Sequence, residues 1–445
     1  MGAAGPRSLA RRAPPGPRSG LRRAGRRTRG PGQLGTRPIG QREEADPRLA
    51  VALSGGGARA AYQVGVLRYV GRRYPDRHMP IITGVSAGAI NALYLAAHRG
   101  ALGESTAGME GQWRSLTTPR VFRSDPWTLL TTAIRWGYTL ASGGTRLGPR
   151  ARSLVNTDPL RQFLRHCVDA TGIDENIRDG NLRAAAVSAT SFQTGQTVTF
   201  VQAGPSVQMW ERPHRRAVRD RLTVAHAMAS SALPLLFPAE KLDGHYYGDG
   251  SLRQSAPLAP AVHLGADRIL AVSARYERSA DEARRPVIEG YPPPAQVVGL
   301  LFNSIFLDTL DVDTVRLERI NSLLERCGDG GDPAGQFRRV QLLLLRPSRD
   351  LGELASEYAG QLPRTIRYLV GGLGSREGRT SDFVSYVLFE ESYLGRLIEL
   401  GQKDAAAQWD RIEEFLGWGE PAPEDVAPVL ATGPDGREAG GRLTS

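Results

Sequence analysis

Twice within its first hundred residues the chain runs from a short apolar segment into a glycine-framed turn and then into a helical stretch, and few folds accommodate that pattern. Leu49 to Leu53 is apolar throughout and stops at Ser54-Gly55-Gly56-Gly57. Ile81-Ile82-Thr83 runs straight into Gly84-Val85-Ser86-Ala87-Gly88, and Ala89 to Ala97 follows with helical composition. A short apolar run ended by glycine reads as a buried strand. After the first turn a helical register places Ala61, Val64, Gly65 and Leu67 toward a core, with Arg68, Arg72 and Arg73 outward near the C-terminal end, where cations suit the dipole. Leu182 to Thr190 and Thr197 to Val201 flank a loop containing Gly195, which predicts a hairpin, and Ile269 to Val272 reads as one more buried strand. Strands alternating with helices predict an α/β sheet covered by helices on both faces, and the hairpin makes that sheet mixed.

Composition divides the rest of the chain. At 445 residues it exceeds the usual size of one core, so one large domain with an appendage, or two domains, is expected. Hydrophobic residues at 40% and charged residues at 23% are ordinary for a globular protein. No apolar run approaches the roughly 18 residues that span a bilayer. The net charge of +11 is local: residues 1–42 hold eleven Arg and no Asp, Glu or Lys, leaving 46 basic against 46 acidic residues elsewhere. A near-neutral remainder argues against nucleic acid as a partner. The Arg-, Pro- and Gly-rich segment 1–46 buries too little apolar surface to fold and is expected to be disordered. It lacks the apolar stretch of an export signal, which leaves a transit peptide, a translation start placed too far upstream, an RNA- or membrane-binding arm, or, as is usual for a charge run, a solvated tail. Cys167 and Cys327 are too few for a disulfide framework or a zinc site, so a reducing cytoplasm is the default.

Residues 47–275 hold all the candidate chemistry, and 276–418 form a mainly helical extension. Within the extension Val297 to Leu324 reads as one long helix, Val340 to Leu345 as a strand-like run, and Ser385 to Leu400 as another helix. Residues 419–445 are rich in Pro, Gly and acidic groups and read as a disordered tail.

Gly84-x-Ser86-x-Gly88 has the spacing of a nucleophile elbow, where the serine sits on a strained strand-to-helix turn and glycines stand where a Cβ would clash. The plain alternative is a Gly/Ser helix entrance without chemistry. Serine attack on an ester creates an oxyanion, which the backbone N–H groups of Gly55, Gly56 and Gly57 would hold, with Arg59 adding positive charge. Gly55-x-Gly57 also begins a dinucleotide fingerprint, but Ala60 stands at its sixth position and the nearest acid at the right distance, Asp76, sits in a turn. The serine needs a base within reach. The sole histidine after Asp249 is His263, in a stretch that looks helical, which suits a loop-borne triad poorly. His78, His98, His166, His214 and His226 stand singly, and His245 lies four residues from Asp249. Asp249-Gly250 is the better candidate, because Tyr246-Tyr247-Gly248 leads a strand into a glycine-flanked turn that presents a carboxylate, although Asp-Gly is more often a hairpin turn.

Three motifs thus stand in one order: Gly55-Gly56-Gly57-Ala58-Arg59, Gly84-Val85-Ser86-Ala87-Gly88 and Asp249-Gly250-Ser251. Together they resemble the patatin-like phospholipases of bacterial type, as do Ser230 to Pro238, Leu264 to Arg268 and Leu388-Phe389-Glu390, so the resemblance covers roughly residues 49 to 405. It implies a three-layer patatin-like sheet, a Ser86-Asp249 dyad without histidine, and an oxyanion hole in the glycine loop. It also implies hydrolysis of acyl esters of glycerolipids or lysophospholipids, with no metal or organic cofactor. Ala60 and Ser251 depart from the family pattern; Ala60 bears on the fit of the loop, and Ser251 would offer the aspartate an extra hydrogen bond and alter its basicity. The apolar stretch Pro126 to Trp136, with Trp127, Trp136 and nearby arginines, suits either a helix capping the core or a peripheral contact with anionic lipid. A cytoplasmic lipid acyl hydrolase is the expected function, and a non-catalytic lipid-binding or regulatory protein on the same scaffold is the alternative.

Overall fold

The computed structural model describes residues 48–423 apart from 124–130, 132–133, 135–152, 235, 285–290, 292, 328–336, 365–366 and 369–381. The expected N-terminal segment, nearly all of Pro126 to Trp136 and most of the expected tail lie outside the described residues.

One sheet of ten strands organises the described chain. Strands β1 (Leu49–Leu53), β2 (Ile81–Val85), β3 (Ala184–Ser191), β9 (Arg268–Val272) and β10 (Gln341–Leu345) run parallel in the order β10-β9-β1-β2-β3. From β3 the chain turns through Gly195, at φ +66°, into antiparallel β4 (Thr197–Ala203), so the sheet is mixed as expected. Beyond β4 the edge is finished by β6 (Arg215–Arg219) and β5 (Glu211–Arg212). A hairpin of β7 (Glu240–Leu242) and β8 (His245–Asp249) docks on the free end of β3.

The two-residue period of the strands sorts their side chains onto two covered faces. Leu49, Val51 and Leu53 enter the larger core, under helices α1 (Ala61–Arg73), α2 (Ala87–Ala97), α3 (Leu102–Arg114), α4 (Asp158–Cys167) and α5 (Val224–Ser230). Ala50 and Ala52 enter the smaller core on the opposite face. Arg68 departs from its expected outward position: its side chain is buried beside Glu110 of α3 at 3.2 Å and donates to the Gly103 carbonyl at 3.1 Å.

Residues beyond 275 contribute to both the sheet and its cover. The expected long helix over Val297 to Leu324 is two helices, α6 (Pro294–Phe306) and α7 (Asp308–Cys327), broken at buried Leu307. The break has a packing cause, since Phe306 belongs to the larger core and Leu310 to the smaller. Asp308 and Asp311 then occupy the first turn of α7, where carboxylates suit a helix N-terminus. The helix expected over Ser385 to Leu400 is likewise split, into α8 (Asp382–Val387) and α9 (Glu391–Ala407). Helix α9 lies so close on α1 that a Cβ on Gly65 would stand 2.0 Å from the Ile398 carbonyl oxygen. Among the described residues no helix is long and apolar enough to cross a membrane.

Candidate active site

Strand register brings the site together. Val85 at the end of β2 pairs with Ser188 of β3, and Asp249 at the end of β8 pairs with the next residue, Ala189. Strands β2 and β8 therefore meet end to end along β3, and the residue after Val85 faces the last residue of β8. Between β2 and α2 the backbone of Ser86 adopts φ 55° and ψ −131°, a region that side chains rarely occupy. The flanking glycines make that turn possible: a Cβ on Gly84 would stand 2.3 Å from the Gly88 oxygen, and one on Gly88 2.4 Å from the oxygens of Leu53 and Ser54.

The Ser86 hydroxyl donates to Asp249 Oδ2 at 2.6 Å, and both residues are buried. The other carboxylate oxygen, Oδ1, accepts the Ser251 backbone N–H at 2.9 Å. Thr190 Oγ1 donates to the Asp249 carbonyl at 2.8 Å, which fixes the strand end beneath the carboxylate. Gly250 has no room for a side chain, since a Cβ there would stand 2.1 Å from the Ser188 oxygen. Complete burial raises the Asp249 carboxyl to about 7, against the lowering effect of the Ser86 hydroxyl and Ser251. Both the backbone and the buried side chain of Ser251 act to lower the Asp249 carboxyl, the backbone N–H by direct donation and the hydroxyl from beside it, so the expected influence of Ser251 on the aspartate is present but outweighed by burial.

The glycine loop runs beside Ser86, as a Cβ on Gly55 would stand 3.1 Å from the Ser86 Cβ. Gly57 has φ +57°, and a Cβ there would meet the Tyr386 carbonyl oxygen at 2.2 Å. Among the described residues no acceptor takes the N–H of Gly55 or Gly56, which leaves both donors available to a ligand. Arg59, expected to add positive charge here, is held by partners on α8. Its buried guanidinium donates to Ser385 Oγ at 2.6 Å and to Asp382 Oδ1 at 3.2 Å, and it stacks 4.5 Å over the Tyr386 ring. The cation expected at the oxyanion instead pins α8 against the loop. Ala60 is fully buried and its carbonyl accepts from Asn91 at 3.3 Å, so the departure from glycine is absorbed by packing.

A narrow apolar cleft leads away from Ser86 and Gly57. Three helices each give it one face at i, i+3, i+4, i+7 spacing. Helix α2 presents Ala87, Ile90, Asn91 and Tyr94; α4 presents Leu160, Phe163, Leu164 and Cys167. Helix α3 presents Met109, Gln112 and Trp113, continued by Leu116. Leu233, Phe237, Tyr386 and Phe389 close the remaining side.

Among the described residues no histidine lines the cleft at Ser86. His263 stacks on Trp210 with ring centres 4.6 Å apart, and burial together with Arg215, Arg212 and Arg338 lowers it to about 4. His226 caps α5 and faces Asp220 Oδ2 at 3.3 Å, while exposed His245 turns back to the Asp243 carbonyl at 3.1 Å.

Residues 51–262, which contain Ser86, Asp249 and the glycine loop, match the family model described as patatin-like phospholipase. The chain carries a patatin-like phospholipase domain. Solved structures give more distant likenesses. Human GIVD cytosolic phospholipase A2, solved with methyl gamma-linolenyl fluorophosphonate, is 12% identical over 86% of this chain and 60% of its own, at a TM-score of 0.38. VipD from Legionella pneumophila is 11% identical over 79% of this chain and 68% of its own, at a TM-score of 0.28. The type III effector protein ExoU is 14% identical over 83% of this chain and 60% of its own, at a TM-score of 0.26. The chain thus spans about three fifths of the length of the human enzyme and of ExoU.

Within the patatin-like domain, sequence reasoning overlooked the residues that hold the reacting groups in place. Ser230 Oγ accepts the Ser86 N–H at 2.9 Å and donates to the Ser188 carbonyl at 2.6 Å, tying α5 to the elbow. A buried chain of side chains reaches the glycine loop from the cleft: Trp113 Nε1 donates to Asn91 Oδ1 at 2.7 Å, Asn91 to Gln63 Oε1 at 3.1 Å, and Gln63 to the Ser54 carbonyl at 2.8 Å. The available signal was an amide set inside each of two apolar helices, at Gln63 and Asn91, because a buried amide requires partners.

Proposed function

We propose that the patatin-like domain hydrolyses acyl esters of glycerolipids or lysophospholipids, using Ser86 as nucleophile and Asp249 as its only proton acceptor. The observation that carries this reading is the 2.6 Å hydrogen bond between two buried groups, one of them on a strained elbow. In the first step Ser86 Oγ attacks the ester carbonyl carbon and passes its proton to Asp249. The tetrahedral oxyanion is held by N–H groups of Gly55, Gly56 and Gly57. Collapse expels the alcohol, which takes the proton back from Asp249 and leaves an acyl-serine. Water then attacks with Asp249 again as base, releasing the fatty acid and restoring Ser86. Every role falls to a side chain or a backbone amide. Residues 47–275 supply the reacting groups in this reading, and 276–418 frame them through Tyr386 and Phe389. A cytoplasmic protein in peripheral contact with a lipid surface fits such substrates.

Hydrolysis of short-chain nitrophenyl esters and of phospholipids tests the assignment. Ser86→Ala should lower turnover by at least about a thousandfold, and His263→Ala by no more than about twofold. Wild-type turnover in Ser86→Ala would remove the nucleophile. A well-folded wild-type protein that binds lipid vesicles and turns over no ester would instead fit a lipid-binding scaffold.

A further inference from the structure

Resting on that reading, we propose that the cleft is a sleeve for a single acyl chain, and that a floor of Tyr94, Gln112 and Cys167 restricts it to chains of about eight to ten carbons. The sleeve opens on the proposed reacting atoms, since Ser86 and Gly57 are among its lining residues. It then follows α2, whose lining residues lie on one face and end at Tyr94. A little over two helical turns separate Ser86 from Tyr94, about 12 Å along the axis at 1.5 Å per residue. An extended hydrocarbon advances roughly 1.3 Å per methylene for bonds of about 1.5 Å, so this length takes about nine carbons.

The three helices come together at the far end through polar groups, whereas Ile90, Leu160 and Leu164 line the way there. Cys167 Sγ on α4 donates to Gln112 Oε1 on α3 at 2.9 Å. The Tyr94 hydroxyl lies against α3 at Gly108, so close that a Cβ on that glycine would stand 2.4 Å from it. Tyr94, Gln112 and Cys167 are all half-buried. A longer chain would have to part the thiol from the amide or leave its tail methylenes in water, forgoing about fourfold in binding for each one.

The test measures kcat/KM of the full-length protein on monomeric nitrophenyl esters from four to sixteen carbons, for wild type, Tyr94→Ala, Cys167→Ala and Ser86→Ala. Wild type should peak at eight to ten carbons and fall at least about tenfold by sixteen. Tyr94→Ala and Cys167→Ala should each raise the ratio of sixteen-carbon to eight-carbon activity by about fivefold or more. Cys167 is half-buried, so its truncation is expected to leave the fold intact, which keeps the test open should Tyr94→Ala fail to fold. A wild-type profile that keeps rising to sixteen carbons, or a ratio unmoved in the folded variants, would overturn the sleeve while leaving Ser86 untouched. Turnover that survives in Ser86→Ala would bring down the nucleophile, and the sleeve with it.

Discussion

Ser86 and Asp249 each occupy a state that folding alone would avoid. A non-glycine backbone at φ 55° costs on the order of 1–3 kcal/mol, and it holds because β2, α2 and Ser230 all constrain the turn. Asp249 is raised to about 7 by complete burial, far above an exposed aspartate. Two consequences follow from that one shift. To accept the serine proton Asp249 must be ionised, so kcat/KM should rise with pH through about 7 and then level off. Because the folded value lies above the unfolded one, the unfolded chain binds fewer protons between the ordinary aspartate range and about 7, and stability falls as pH rises through that window. Asp249→Asn should therefore be inactive yet melt higher than wild type above pH 7, by scanning calorimetry at matched ionic strength; a lower melting temperature there would contradict the burial cost. Ser86 was legible in the sequence because its turn geometry is local, three glycine-spaced residues between a strand and a helix. Asp249 was less so, since an Asp-Gly step serves equally in a plain hairpin, and only the register along β3 brings it to Ser86. Ser230 stood in a stretch that resembled the family, but its role was not readable there, because it depends on a contact with a residue 144 positions away.

At the scale of elements, Arg59 shows how the extension reaches the glycine loop. Its guanidinium joins the loop to α8 through Ser385, Asp382 and the Tyr386 ring, and the Tyr386 carbonyl is the group that Gly57 approaches. Removing the guanidinium takes a donor from Ser385, whose hydroxyl keeps its own hydrogen bond to the Asp382 carbonyl, and Asp382 keeps the 2.6 Å hydrogen bond from Asn303. Arg59→Met should thus cost about 2–3 kcal/mol of stability and lower kcat through a loosened loop. Melting curves and turnover measured together would decide it. A hundredfold loss of kcat at an unchanged melting temperature would return the charge to the oxyanion, where the sequence pattern had placed it. Strand and helix types were readable wherever the apolar period was long, as in β1, α1, β2 and β9. The break between α6 and α7 was not, because both sides keep a helical period and only the division of Phe306 and Leu310 between two cores reveals it. The cleft-facing stripes of α2, α3 and α4 likewise read as ordinary core faces, and nothing local distinguishes a stripe facing a cleft from one facing a neighbour.

At the scale of the whole molecule, the parallel sheet sets β1 and β2 side by side, so the glycine loop and the elbow emerge next to each other. The same sheet extends through β10, which lies some seventy residues beyond β9. Its apolar run was readable as a strand, but pairing with β9 is a long-range property that no local pattern encodes. The parallel core with an antiparallel hairpin followed from the alternation of strands and helices, and the ordered motifs pointed to the patatin-like family. The arrangement gives the chemistry a single centre, so one labelling experiment bears on all of it. A fluorophosphonate ester reacts only with an activated serine, and its adduct can be mapped by peptide mass spectrometry on the full-length protein. One adduct is expected, on Ser86, forming at least about a hundredfold more slowly in folded Asp249→Asn. An adduct on another residue, or an Asp249→Asn protein labelled at the wild-type rate, would contradict the dyad.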